Sequence, residues 1–428
     1  MRRLLSQLCP VALALVAALL PAAHGAPALE LAESVPEATT LDDPALPQAA
    51  DVWRALFENA EERIDISQFY LAPGPEGESQ LRPLLELLEK KAKKGVKVRF
   101  LIDANFRATD WPTVEKLEKA KNIEVRRFDI KALTGGVQHA KYMLIDGKTG
   151  WIGSQNFDWR SLQHVQELGF TLHAPAAVAD LQAVFELDWA LAVGEAKPPA
   201  PAGDEPVAVQ SAAKIGEDDV KIGVVASPKG LLPEGVRWDL PLMLQAIDGA
   251  QERVRIQIMT YALVGYDKQY WDELDRALRR AAARGVEVEL MVADWNLSKS
   301  KQPHLKSLVV LPKVSVKYVQ IPQIEGKFIE FGRVAHAKYM VIDGRWSWVG
   351  TSNWSRDYFH GSRNVGVIVE GEALARQLDG WFEHTWTSPY AEVLRPARRY
   401  HAPPRTKRDL ERERKRAGKA GAGGSTKE

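Results

Sequence analysis

Two stretches of this chain are versions of one another, and that duplication limits what it can fold into more than any other feature. Glu62-Arg63-Ile64-Asp65-Ile66 matches Glu252-Arg253-Val254-Arg255-Ile256, and Gly95-Val96-Lys97-Val98 matches Gly285-Val286-Glu287-Val288, both at an offset of 190. Further on, His139-Ala140-Lys141-Tyr142-Met143 matches His336-Ala337-Lys338-Tyr339-Met340 at an offset of 197, which Phe185/Phe382 and Trp189/Trp386 share. The gain of seven residues between the blocks belongs in a loop, where insertions are tolerated. The expected bodies cover 46–193 and 220–396.

Apolar residues alternate at Val96, Val98, Phe100 and Ile102, and at Val286, Val288, Leu290 and Val292, the period of half-buried strands. Each run follows a helical stretch closed by Gly95 or Gly285, where a left-handed cap is required. Strands alternating with helices predict an α/β fold: two tandem sandwiches on parallel or mixed sheets, related by a pseudo-twofold axis, with the active site at their interface.

The flanks read differently. Residues 1–25 have the form of an export signal, with Arg2 and Arg3, an apolar run over 8–22 interrupted by Pro10 and Pro21, and small residues before Ala26. The one cysteine, Cys9, falls inside it, which excludes an internal disulfide and a Cys-based zinc site. Residues 26–45 read as a leader, 194–219 as a Pro/Ala-rich linker, and 397–428 as a basic, solvated tail with a helix over 408–415. No later stretch is apolar enough to span a bilayer, so a secreted or periplasmic protein is expected. Lys and Arg number 57 against 56 Asp and Glu, so no global basicity points to nucleic acid or an anionic membrane.

The chemistry sits in a string that occurs twice. The first copy reads His139-x-Lys141, Asp146, Gly153-Ser154-x-Asn156, and the second reads His336-x-Lys338, Asp343, Gly350-Thr351-x-Asn353, at identical spacing. On an extended chain residues i and i+2 share a face, so each His projects with its Lys. A turn at Asp146-Gly147-Lys148 then returns Asn156 beside His139, and the same argument places Asn353 beside His336. Each copy thus supplies half of a phosphate site. Paired, they set two imidazoles on opposite sides of one phosphorus, with Lys141, Lys338, Asn156 and Asn353 around it. One neutral imidazole attacks a phosphodiester in line, the other protonates the leaving oxygen, and water or an alcohol releases the phosphohistidine. The lysines and amides take up charge on the non-bridging oxygens, so neither metal nor cofactor is called for. Asp146 and Asp343, counted with the site, each precede Gly in a turn, where a structural hydrogen bond is the simpler role. Ser154 and Thr351 brace that turn, with phosphate contact as a second use. The aromatics near the motifs, Trp151, Phe157, Trp159, Trp346, Trp348, Trp354, Tyr358 and Phe359, read as core, with one or two left at a rim to stack bases or line an acyl channel.

The doubled string resembles the phospholipase D superfamily. Gly153-Ser154-Gln155-Asn156-Phe157-Asp158-Trp159-Arg160-Ser161, Glu167-Leu168-Gly169, Gly350-Thr351-Ser352-Asn353-Trp354-Ser355 and Trp386-Thr387-Ser388-Pro389-Tyr390 are similar to its endolysosomal branch. That resemblance implies a 5′ exonuclease on single-stranded DNA or RNA, with transfer chemistry on glycerophospholipids as the alternative. Eleven residues after each motif asparagine stand Glu167 and Asn364, a position at which the superfamily often places a carboxylate that holds the histidine. If Glu167 serves the histidine of its own copy, it favours protonated His139 as proton donor and leaves His336 as nucleophile, with the reverse order open. Three functions survive: a phospholipid phosphodiesterase, a single-strand nuclease and a non-catalytic phosphate-binding relic.

Overall fold

In the computed structural model of the chain the described residues are 27–206, 208–209 and 211–422, so the export-signal reading lies outside them. The first copy contributes β1 (Leu29–Ser34), β2 (Arg63–Gln68), β3 (Leu71–Ala72), β4 (Lys97–Asp103), β5 (Ile123–Phe128), β6 (Tyr142–Ile145), β7 (Thr149–Gly153), β8 (Phe157–Asp158) and β9 (Glu167–Leu172). The second contributes β10 (Ser211–Ile215), β11 (Asp218–Ser227), β12 (Arg237–Trp238), β13 (Arg253–Ile258), β14 (Glu287–Ala293), β15 (Val314–Val319), β16 (Tyr339–Ile342), β17 (Trp346–Gly350), β18 (Asn364–Glu370) and β19 (Ala391–Val393).

The first sheet runs β1-β9-β7-β6-β2-β4-β5, and the second repeats that order as β11-β18-β17-β16-β13-β14-β15, extended by β10 and β19 at its edges. β2, β4 and β5 pair in parallel and the rest antiparallel, so the sheet is mixed. Parallel neighbours need covered faces. Helices Leu81–Lys93 and Glu273–Ala283 supply part of that cover by burying one apolar stripe each, leucine-rich in the first and mixed leucine and alanine in the second. The helix Pro175–Leu191 contacts strands of its own sheet and also β11 of the other, Glu372–Thr387 packs on its own sheet, and one continuous core runs from Leu144 and Phe185 to Val224 and Leu374. The α/β architecture and the tandem arrangement follow the sequence reading.

The flanks depart from it. The segment taken as a leader carries β1, which pairs antiparallel with β9 as β11 pairs with β18. Its Glu33 is fully buried and accepts hydrogen bonds from Trp381 Nε1 (2.7 Å), in the other copy, and from the Asp43 amide (2.7 Å). Ala and Pro are the composition of loose chain, but a single edge strand needs only a few apolar residues to join a sheet. The linker likewise ends in β10, which forms a hairpin with β11. The tail is ordered at its start: Tyr400 is buried, and a helix runs over Lys407–Ala422.

Two clamps cross between the copies. Arg363, fully buried ahead of β18, forms an ion pair with Asp188 of helix Pro175–Leu191 (2.7 Å) and donates to the Ser227 carbonyl (3.0 Å). At the position related by the 197-residue offset, Gln166 donates to Thr385 Oγ1 (2.8 Å), so the second clamp is neutral. Removing one partner of a buried ion pair strands a charge. Asp188→Ala is therefore expected to cost about 3–5 kcal/mol of stability, against about 1–3 kcal/mol for Gln166→Ala. Urea unfolding of the two variants measures both, and equal losses would contradict the charged clamp's dominance.

Candidate active site

Each histidine is placed by a backbone bridge to the opposite copy. The His139 amide donates to the Arg363 carbonyl (2.9 Å) and the Arg363 amide to Val137 (3.0 Å). In the related place the His336 amide donates to Gln166 (2.8 Å) and the Gln166 amide to Val334 (3.0 Å). The residue after each bridge then meets the imidazole. His139 Nδ1 lies 3.0 Å from Asn364 Oδ1, and His336 Nδ1 lies 2.6 Å from a Glu167 carboxylate oxygen.

This corrects the pairing assumed from sequence. Glu167 serves His336, in the other copy, and Asn364 serves His139, because it is the crossed bridge and not the local hairpin that brings β9 and β18 to the imidazoles. Asn364 Nδ2 donates to the Tyr358 carbonyl (2.8 Å), which turns its Oδ1 to the ring, and Thr351 Oγ1 donates to that same Oδ1 (3.0 Å). An acceptor at Nδ1 demands an N–H there, so Nε2 is left to face the substrate on both rings.

His139, His336, Asn156, Asn353 and Glu167 all line one cleft of about 610 Å³. Lys141 and Lys338 are buried immediately behind it, each ammonium donating to the carbonyl of its own histidine. Burial depresses both lysines, and Lys338, although Glu167 works in the opposite direction, falls to about 7. Burial, with Lys141 and Lys338 adding to it, also holds His139 well below its ordinary value. His336 is lowered by burial too, but there the Glu167 carboxylate opposes the shift. Burial raises the Glu167 carboxyl, yet His336 and Lys338 outweigh it and keep it below the usual range.

Besides the two lysines, four residues counted with the site stand outside the cleft lining. Asp146, in a turn with positive φ shared with Gly147, accepts the amides of Glu61 (2.9 Å), Glu62 (2.8 Å) and Arg63 (2.7 Å), and Asp343 does the same for Gln251, Glu252 and Arg253. Both lie at the far end of β6 and β16, where they tie the hairpin to β2 and β13. Ser154 Oγ is spent on the Leu168 amide (3.1 Å), and Thr351 on Asn364 and the Val365 amide (3.1 Å). They brace β9 and β18, the strands that carry the histidine partners.

The cleft also contains residues the motifs did not point to. Phe69, Tyr70 and Phe106 form one wall, with the Phe69 ring centroid 4.0 Å from Phe106 and 5.1 Å from His139. Tyr266, Trp295, Phe331 and Arg405 line it elsewhere. Of the eight aromatics near the motifs only Tyr358 lines the cleft, its ring 4.8 Å from His139. Most of the missed residues follow a parallel strand directly: Phe69 and Tyr70 after β2, Phe106 after β4, Trp295 after β14. Open α/β sheets bind ligands at those carboxyl ends, and that rule is the signal that would have found them. Among the described residues no group of three or more His, Cys, Asp or Glu side chains is disposed to hold a metal ion.

A doubled α/β sandwich that presents two cross-buttressed imidazoles in one cleft, with a buried lysine behind each, is the form of a phosphodiesterase. The family model described as "Cardiolipin synthase, PLD-like domain" matches residues 54–189 and 243–386. The chain is 32% identical over 403 residues to the 5'-3' exonuclease PLD3 of Xenopus laevis, covering 84% of this chain and 80% of that protein. It is 30% identical over 390 residues to Phospholipase D Z of Dictyostelium discoideum, covering 85% and 90%. The crystal structure of phosphatidylserine synthase from Haemophilus influenzae superposes with a TM-score of 0.60 at 14% identity, over 87% of this chain and 91% of that one, a likeness of fold. This chain belongs to the phospholipase D superfamily.

The placement of Asp146 makes a prediction. Asp146→Ala should cost about 1–3 kcal/mol of stability through its three lost amide bonds, while turnover of the folded protein on bis(p-nitrophenyl) phosphate stays within about threefold. Thermal unfolding and steady-state kinetics check this together. Lost turnover at unchanged stability would return Asp146 to the catalytic set.

Proposed function

We propose that this protein is a phosphohistidine-forming exonuclease of single-stranded nucleic acid, acting from the 5′ end, and that its export signal directs it out of the cytoplasm. The observation that carries the reading is the cleft: two imidazoles with Nε2 free, two ammonium groups behind them, and walls of aromatic rings. Rings of this kind stack on bases whatever their identity, and Arg405 adds a cation for the backbone. The apolar lining is more aromatic than aliphatic, which favours bases over acyl chains. The name of the Xenopus relative points the same way, while that of the Dictyostelium relative supports phospholipid as the second reading.

The crossed pairing supports the reverse of the role order favoured from sequence. By the same argument that sequence applied to His139, the carboxylate of Glu167 now favours the protonated form of His336, which becomes the proton donor. His139 has only an amide at Nδ1 and is buried beside Lys141 and Lys338, and burial above all disfavours its protonated form, so it is the neutral nucleophile. His139 Nε2 forms a bond to phosphorus as the bond to the leaving oxygen breaks, and His336 transfers its proton to that oxygen. Water then loses a proton to His336 and attacks, and the phosphorus–nitrogen bond breaks. The incoming phosphodiester anion restores charge to Lys141 and Lys338, whose ammonium groups are costly to keep buried alone. Asn156 and Asn353 donate to the non-bridging oxygens.

Turnover of 5′-hydroxyl single-stranded DNA and of phosphatidylcholine or phosphatidylglycerol vesicles, side by side in EDTA, tests the substrate. Release of mononucleotides with intact lipid is the expected outcome, and hydrolysis of lipid alone overturns the nuclease reading. Glu167→Gln tests the roles. Without the carboxylate His336 holds its proton less well, so the alkaline limb of the pH profile of kcat/KM should move to lower pH, with kcat down by about a hundredfold or more. An unmoved limb would contradict His336 as the acid.

A further inference from the structure

The near-neutral total conceals an uneven distribution of charge. Residues 395–416 hold ten basic and three acidic residues, which leaves 47 basic against 53 acidic in the rest of the chain. This basic segment passes the cleft at Arg405. Arg405 lines it, with its guanidinium 5.1 Å from the Trp295 ring centroid, and its carbonyl accepts the Phe331 amide (2.9 Å). The Lys407 amide donates to Glu330 (2.7 Å), so the same rim fixes the start of the helix Lys407–Ala422. Thr406 caps that helix: its hydroxyl accepts the Asp409 amide (3.1 Å) and donates to the Asp409 carboxylate (2.8 Å).

From that fixed start the helix extends about 24 Å at the usual rise per residue. Arg408, Arg412, Arg414 and Lys415 are exposed, and among the described residues no carboxylate forms an ion pair with them. Leu410 is the one large apolar residue between 407 and 422. A helix that settles into a membrane surface needs an apolar face, which this one lacks. A charged polymer held by its phosphates needs only cations in a line.

We propose that Arg405 and the helix Lys407–Ala422 continue the active-site cleft and hold the phosphate backbone of a single-stranded polynucleotide beyond the scissile bond. This rests on the nuclease reading above. It makes the tail a device for retaining long substrates, distinct from the groups that act on the phosphorus.

The test compares the full chain with a variant carrying Arg408→Ala, Arg412→Ala, Arg414→Ala and Lys415→Ala, on single-stranded DNA of about 30 nucleotides and on a thymidine dinucleotide too short to reach the helix. With roughly 0.7 of logarithmic salt slope per phosphate contact on a single strand, loss of two to four contacts should flatten the salt dependence of kcat/KM on the long DNA by about 1.5–3. KM for the long DNA should rise about fivefold or more at low salt, with dinucleotide kinetics unchanged. A second variant with lysine at the three arginine positions should keep the steep slope. An unchanged KM and slope, or equal losses on both substrates, overturns the proposal, as does binding to phosphatidylglycerol vesicles as the only property the alanine variant loses. If the wild-type chain hydrolyses neither DNA, the nuclease reading itself fails and takes this proposal with it. Hydrolysis of both with no effect of the alanine variant sinks the track alone.

Discussion

The site depends on two short backbone bridges in which each copy holds the other's histidine. A two-hydrogen-bond bridge spans only a few residues, but it fixes the residue that follows it, and here that residue is the one that meets Nδ1 of the imidazole. The Nδ1 partner of each ring comes from the other copy. The amide and hydroxyl network around Asn364 and the carboxylate of Glu167 reach the rings only once the two sheets have docked, so assembly of the site and docking of the halves are one event. A buried polar group without its partner costs more than the bond is worth when made, and this reciprocity makes partial assembly unfavourable.

The duplication is symmetric in backbone and asymmetric in charge. Asp188 and Arg363 occupy the places of Thr385 and Gln166, and Asn364 occupies the place of Glu167. On one side of the pseudo-twofold axis lie a carboxylate partner and a neutral clamp. On the other lie an amide partner and a charged clamp, whose ion pair is wholly buried. Two identical halves would give two imidazoles of equal basicity, whereas the proposed mechanism assigns one that holds its proton and one that does not. The difference of one side chain, carboxylate against amide at Nδ1, is the asymmetry on which that proposal rests. The charged clamp keeps Arg363 in place beside Asn364, on the side where the ring has no ionic partner.

Much of this was legible in the sequence because it is local. The repeat, the strand alternation along β4 and β14, and the spacing of His139, Lys141 and Asn156 all follow from residues close together in the chain. The turn role of Asp146 and Asp343 was readable from the Gly that follows each. What was not legible is what crosses between the copies. Spacing within one copy suggests that Glu167 serves His139, and only the docked sheets show that it reaches His336. β1 was missed because Ala and Pro dominate the segment around it, while its stability comes from pairing with β9. Phe69, Phe106 and Trp295 carry no motif and enter the cleft through the topology of the sheet.

The central claim is that one imidazole from each copy acts on the same phosphorus and that His139 is the one that bonds to it. Rapid quenching of the enzyme during turnover of substrate labelled with radioactive phosphorus, followed by peptide mapping under alkaline conditions that preserve phosphohistidine, tests it most directly. The account predicts label on the peptide that contains His139, and label that persists when the leaving group is too acidic to need a proton and His336 is replaced by alanine. Label on the His336 peptide, or turnover with no labelled histidine at all, would contradict it.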